Sequence, residues 1–218
     1  MPGKADQVRQ LLSTAGETYA TQAGIRLADK PAALYQLLVL SLLLSTRIKA
    51  EIAVAACREL IAAGFTTPRK MRDASWQQRV DALGRAHYRR YDESTASRLG
   101  DGAAMLLDRY RGDLRRLADR AGSDPGDDGR ARRTSELLQE FDGIGPVGAD
   151  IFLREAQAVW PWLRPHVDER VQAAAEQFGL PTGARRLAEL AGTADLSRLS
   201  AALMHASLDR RLRARLTG

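Results

Sequence analysis

Residues 137–171 read LLQEFDGIGPVGADIFLREAQAVWPWLRPHVDERV, and the fold turns on how this stretch is read. Leu137, Leu138 and Phe141 lie before a glycine turn, and Ala149, Ile151, Phe152 and Leu153 lie after it. Each set gives a helix one apolar face. Between them Gly143 and Gly145 bracket Ile144, a spacing that suits a sharp turn needing positive φ or close backbone approach. Pro146 falls where the first helical turn tolerates a missing N–H. The pattern predicts a helix, a hairpin, a second helix, an aromatic-rich connection and a third helix opened by Asp168. The first-turn amides of the second helix, with its dipole, suit a phosphate. Glycine is also a common helix stop, so on local grounds a plain connector is the competing reading.

The rest of the 218-residue chain points the same way. Alanine, leucine and arginine dominate, alternating β-branched runs are absent, and an all-α fold is expected. The net charge of +6 suits an acidic partner such as nucleic acid, or else a solvated arginine-rich surface. One cysteine, Cys57, lies in an apolar helical run and reads as a packed residue. A single thiol builds neither a disulfide nor an iron–sulfur cluster, and no metal site is expected. The apolar run at 32–44 is too short to span a bilayer, and the charged start lacks a signal peptide's apolar core. A soluble cytoplasmic protein is therefore expected.

In chain order, helices are expected over 5–15, from Pro31 through Leu44, and from about 48 to 63. The helix after Pro31 is apolar on nearly every side and should be the buried centre of a lobe. Ser75-Trp76-Gln77-Gln78 has the form of a capping box. A long helix should end near Tyr110, a short one fill 112–121, and a low-order acidic loop span 122–129. Thr134 or Ser135 is expected to cap the first hairpin helix. After Asp168, helices are expected at about 169–178, 183–191 and 197–215.

These features resemble the helix-hairpin-helix DNA glycosylases of the endonuclease III superfamily. The likeness rests on Gly143-Ile144-Gly145 and on Val167-Asp168 opening the next helix. It extends to Leu44-Ser45-Thr46-Arg47, which matches a buried helix ending in L-S-x-Q, and to the passage from Leu83 to Tyr91. It spans most of the chain, though only the hairpin–aspartate stretch is specific. The resemblance implies two all-α lobes with the active site in the cleft between them. Residues 30–158 would form a helical barrel with the hairpin at 137–158, and residues 1–29 with 159–218 the second lobe. Gly143, Gly145, Val147 and Gly148 would hold a DNA phosphate. Arg47 would fill the gap left by an extruded nucleotide, unless it is an ordinary solvated arginine. Double-stranded DNA is the implied partner, the protein acting as a monomer at the nucleoid. A monovalent cation at the hairpin carbonyls also fits the resemblance.

Removing a base from deoxyribose builds positive charge on the sugar, which a nearby carboxylate stabilises while orienting water. The resemblance gives that role to Asp168; the local reading is a helix N-cap, and one residue can do both. Relatives that also cleave the strand carry a lysine two residues after the hairpin's second glycine. Here that residue is Val147, and no lysine follows Lys70. The expectation is a monofunctional, water-using N-glycosylase for a damaged or mispaired base. Its alternative is a DNA-binding protein without catalysis, which Asp142 in the usual proline position also permits. Trp160 and Trp162 would stack on an extruded base or pack a lobe interface. Tyr35 reads as core or pocket, His166 as a loop residue or one that orients water. Arg154 and Glu155 read as a solvated pair, His87 as structural or solvent-facing, and His205 as an interfacial packing residue.

Overall fold

A computed structural model describes residues 3–122, 128–192 and 195–217, and every described element is helical. Most of the acidic loop read at 122–129 lies outside the described residues. The chain divides into two compact units, Ala20–Leu153 and Met1–Tyr19 with Arg154–Gly218. The seams fall at 19/20 and 153/154, where the sequence reading put them at 29/30 and 158/159.

The Ala20–Leu153 unit is built around α3, which follows α1 (Lys4–Ala15) and the single turn α2 (Tyr19–Gln22) in the chain. α3 (Pro31–Leu44) starts with proline in its first turn and buries residues on all sides, including Leu34, Leu37, Leu40 and Leu43. Such a helix has no polar face and must be covered all round. α4 (Ala50–Ala62) packs on it, and α5 (Pro68–Asp73), α6 (Trp76–Arg85) and α7 (Asp92–Tyr110) follow, α6 lying between α4 and α7. α8 (Leu114–Arg120) touches both α3 and α7 and carries α9 (Asp128–Leu138). The predicted capping box opens α6: Ser75 Oγ accepts from Gln78 N, and Gln78 returns the bond to Ser75 N. Buried Arg79 fastens the unit by donating to the carbonyls of Ala96, Met71 and Ala74 at 2.7–3.0 Å. Gly100 leaves its guanidinium room, since a Cβ there would lie 2.7 Å from Nη2. Cys57 is fully buried, and burial pushes its thiol up to about 12, so it packs and does not react at neutral pH.

The second unit joins α1 to the C-terminal helices α11 (Glu169–Gln177), α12 (Ala184–Ala191), α13 (Leu196–Leu208) and α14 (Arg210–Thr217). Val8 and Leu11 of α1 meet Val171, Leu187, Leu199 and Leu203 in one apolar core. α13 is its centre, touching α1, α11, α12 and α14.

Three local expectations are corrected. The helix expected from 48 begins at Ala50, because the chain turns through 45–49 first. Thr134 and Ser135 do not cap α9, which already runs from Asp128; buried Thr134 bonds back to Arg130 O at 2.8 Å. The last helix is not continuous to 215. It breaks at Asp209, whose carboxylate accepts from Arg211 N and Leu212 N and starts α14 afresh.

Candidate nucleic-acid interface and the Asp168 site

Within the Ala20–Leu153 unit, the hairpin occupies 139–145 between α9 and α10 (Pro146–Ala156). Phe141 and Ile144 are buried and anchor it, and Ile144 N donates to Phe141 O at 2.9 Å. Gly143 has φ +87°, and a Cβ there would meet Arg98 Cδ at 2.9 Å. Both reasons for a glycine hold at this position. Gly145 shows neither: its φ is ordinary and nothing lies within 4 Å of where a Cβ would be. Gly145 is exposed at the tip, and no contact within the chain requires a glycine there. Gly148 is buried, and a Cβ there would come 3.0 Å from Ser45 Oγ. That serine, just past α3, donates to Gly143 O at 3.3 Å and seams the hairpin to the 45–49 corner. An α-helix leaves its first amides without a carbonyl of its own. In α10 the first to find one is Ala149, bonded to Gly145 O at 3.0 Å. Val147, where strand-cleaving relatives carry lysine, is half-buried.

The same corner gathers cations. Arg47 is exposed on the 45–49 turn, and Lys49 is exposed two residues on. Thr46 Oγ1 and Tyr88 Oη lie 2.9 Å apart, tying the turn to the 86–91 loop, where Arg89 and Arg90 are exposed. His87 in that loop is exposed with φ +58°, in the left-handed region that non-glycine residues seldom adopt. Asp142 is the local anion, and Arg98 partly offsets it at 3.2 Å. Asp142 is exposed and Arg98 partly so, and such a pair adds little stability.

Asp168 lies in the other unit and is closely held. It N-caps α11: Oδ1 accepts from Arg170 N at 3.0 Å and Val171 N at 3.2 Å. Oδ2 accepts from Arg154 Nε at 2.8 Å, with Arg154 Nη2 also at 2.8 Å. Both side chains are almost fully buried, at 5% exposure for Arg154 and 3% for Asp168. Burial alone would raise the carboxyl's pKa, but the Arg154 charge and hydrogen bond, the α11 amide and His166 together hold it below the usual carboxylate value. Asp168 is therefore ionised at neutral pH, and each of its acceptor positions faces a donor.

Arg154 and Glu155 are not a solvated pair. Arg154 pairs with Asp168, and Glu155, also buried, accepts from Tyr19 N at 2.8 Å. Gln157 was not singled out by sequence, yet it clamps this region. Its Nε2 donates to Arg154 O at 3.0 Å and to His166 O at 2.9 Å, and its Oε1 accepts from His166 N at 3.2 Å. The signal was present in Ile151-Phe152-Leu153-Arg154-Glu155-Ala156. A helix apolar on both sides of a charge buries that charge, and a buried charge needs a partner.

The expected base-pocket residues are divided between the two units. Trp160 is buried and stacks on half-buried Trp162, ring centres 5.3 Å apart. Tyr35 belongs to the other unit and lines a cavity of about 20 Å³ with Leu42, Arg98, Phe141 and Ile144. That is room for about one water, not a base. Its hydroxyl has no hydrogen-bond partner among the described residues. His205 packs edge-on against Tyr19 at 4.7 Å. Among the described residues no cluster of histidine, cysteine and carboxylate side chains is arranged to hold a metal, and no helix is long and apolar enough to cross a membrane. No family model, curated protein or solved structure matches the chain.

Proposed function

We propose that the protein binds double-stranded DNA through the hairpin and its neighbouring loops, and acts on it as a monofunctional N-glycosylase with Asp168 as the essential carboxylate. The observation that carries the reading is the open hairpin tip. Gly145 leaves space for a close backbone approach that nothing in its own unit fills. The next amides begin a helix, and Arg47, Lys49, Arg89 and Arg90 are exposed on the two turns tied to the hairpin's neighbour Ser45-Thr46. Uncommitted amides, a helix dipole and flanking cations are what a phosphate backbone requires. Such contacts set position without reading sequence.

For the chemistry, a stacked base is out of reach, so the target nucleotide must leave the duplex, with Arg47 filling its place and the sugar brought to Asp168. Asp168 then contributes as a fixed negative charge facing the oxocarbenium-like sugar. The absence of lysine at Val147 leaves water as the nucleophile. A second reading, DNA binding without catalysis, is favoured by one observation: Asp168 is buried and its oxygens are occupied by Arg154 and two amides.

Duplex affinity measured against salt tests the binding reading. The expected result is a steep fall with salt, with Arg47→Ala and Arg89→Ala each lowering the slope by about one. A flat salt dependence contradicts it. Base release that is lost in Asp168→Asn separates the glycosylase from the silent binder.

A further inference from the structure

We infer that Arg154 is the positioning residue of the Asp168 carboxylate, fixing it in one rotamer with its charge intact. The inference rests on the glycosylase reading and adds a residue to that site.

The geometry gives each oxygen a separate holder. Oδ1 belongs to the start of α11, through the amides of Arg170 and Val171. Oδ2 belongs to Arg154, whose Nε and Nη2 both lie at 2.8 Å. A cap alone leaves one oxygen to solvent and the side chain free to rock about it. The buried guanidinium removes that freedom, because Nε donates to Oδ2 while Nη2 lies equally close to the same oxygen. Arg154 is itself held. Gln157 Nε2 bonds the Arg154 carbonyl at 3.0 Å and also spans to His166 O, two residues before the aspartate. The arginine's backbone and the segment leading into Asp168 are thereby tied to one side chain.

Beside Arg154, His166 also acts on the carboxylate and favours the anion. On α13, which packs against α11, the ionisable side chains are engaged elsewhere: Arg198 with Asp195 and Gly16 O, His205 with Ala15 O. Removing Arg154 therefore removes the main support of the charge and leaves only the cap and His166. With its acceptor positions filled, the carboxylate is better suited to stabilising developing positive charge than to abstracting a proton.

The test follows the Asp168 carboxyl by carbon-13 NMR in the full chain without DNA, in wild type, Arg154→Gln and Arg154→Lys. Base release against pH is measured on the same proteins. In Arg154→Gln the Asp168 titration midpoint is expected to rise by about one unit or more, and the acid limb of base release to rise with it, about tenfold in proton concentration per unit. Arg154→Lys keeps the charge but loses the guanidinium. It is expected to hold the midpoint low while kcat falls about tenfold with KM unchanged, and it carries the test if Arg154→Gln does not fold. An unmoved midpoint in Arg154→Gln, wild-type kcat in Arg154→Lys, or release faster than wild type in either overturns the inference. A raised midpoint in Arg154→Gln with no base released by wild type upholds Arg154's hold on the carboxylate and sinks the glycosylase reading alone.

Discussion

Two aspartates in this chain share one local sequence pattern and one local job. Val167-Asp168-Glu169-Arg170-Val171 opens α11, and Leu208-Asp209-Arg210-Arg211-Leu212 opens α14. Each carboxylate accepts from the amides two and three residues on: Arg170 and Val171 for Asp168, Arg211 and Leu212 for Asp209. The capping is the same, and it accounts for both residues locally. The surroundings differ. Asp209 is exposed and is held below the usual carboxylate value first by its two amide bonds. Asp168 is buried and relies on Arg154, fourteen residues earlier in the chain, to stay charged against burial. Both aspartates act as caps, and a buried arginine is what makes one of the two unusual.

Breaking the pairing should show that difference most strongly. Arg154→Met leaves the Asp168 charge buried without its partner, which typically costs about 3–5 kcal/mol. Urea unfolding is expected to show a loss of that order. Asp209→Ala has no buried partner to strand and should fray α14 in amide exchange with little effect on the global transition. Equal losses in the two variants would mean that Arg154 contributes no more than an ordinary surface arginine.

Acid sharpens the same contrast. Both carboxyls are depressed in the folded chain, so each contributes stability above the unfolded value of about 3.9 and loses it as pH falls through the lower folded value. Below about pH 4, wild type should therefore lose stability in a component that Arg154→Met lacks. Thermal unfolding between roughly pH 5 and 2 measures it. The hairpin glycines supply a smaller effect. Gly143→Ala forces a side chain into positive φ against Arg98 and should cost about 1 kcal/mol or somewhat more. Gly145→Ala meets nothing and should leave stability unchanged while weakening duplex binding. If both variants bind DNA as wild type does, the tip is a connector.

The sequence carried the all-α class, the buried α3, the Ser75 box and the Asp168 cap because each is a local pattern: apolar periodicity, a four-residue motif, an acid before an amphipathic turn. It did not carry the Arg154–Asp168 pair: the apolar residues around Arg154 mark a buried charge, but nothing local names its partner. Nor did it separate the glycines. Gly143 is required by its own unit and Gly145 is not, a difference that depends on where Arg98 lies and not on the G-x-G spacing. The break at Asp209 was hidden by the leucine spacing that runs unbroken from Leu199 to Leu216.

The most direct measurement is base release from duplexes carrying uracil, hypoxanthine, alkylated purine, oxidised purine or a mismatch, with wild type and Asp168→Asn side by side. Each reaction is read with and without alkali, which breaks the strand at abasic sites. A monofunctional glycosylase gives strand breaks on one class of duplex only after alkali, and Asp168→Asn gives none. No release from any duplex, or release that Asp168→Asn retains, would contradict a catalytic Asp168.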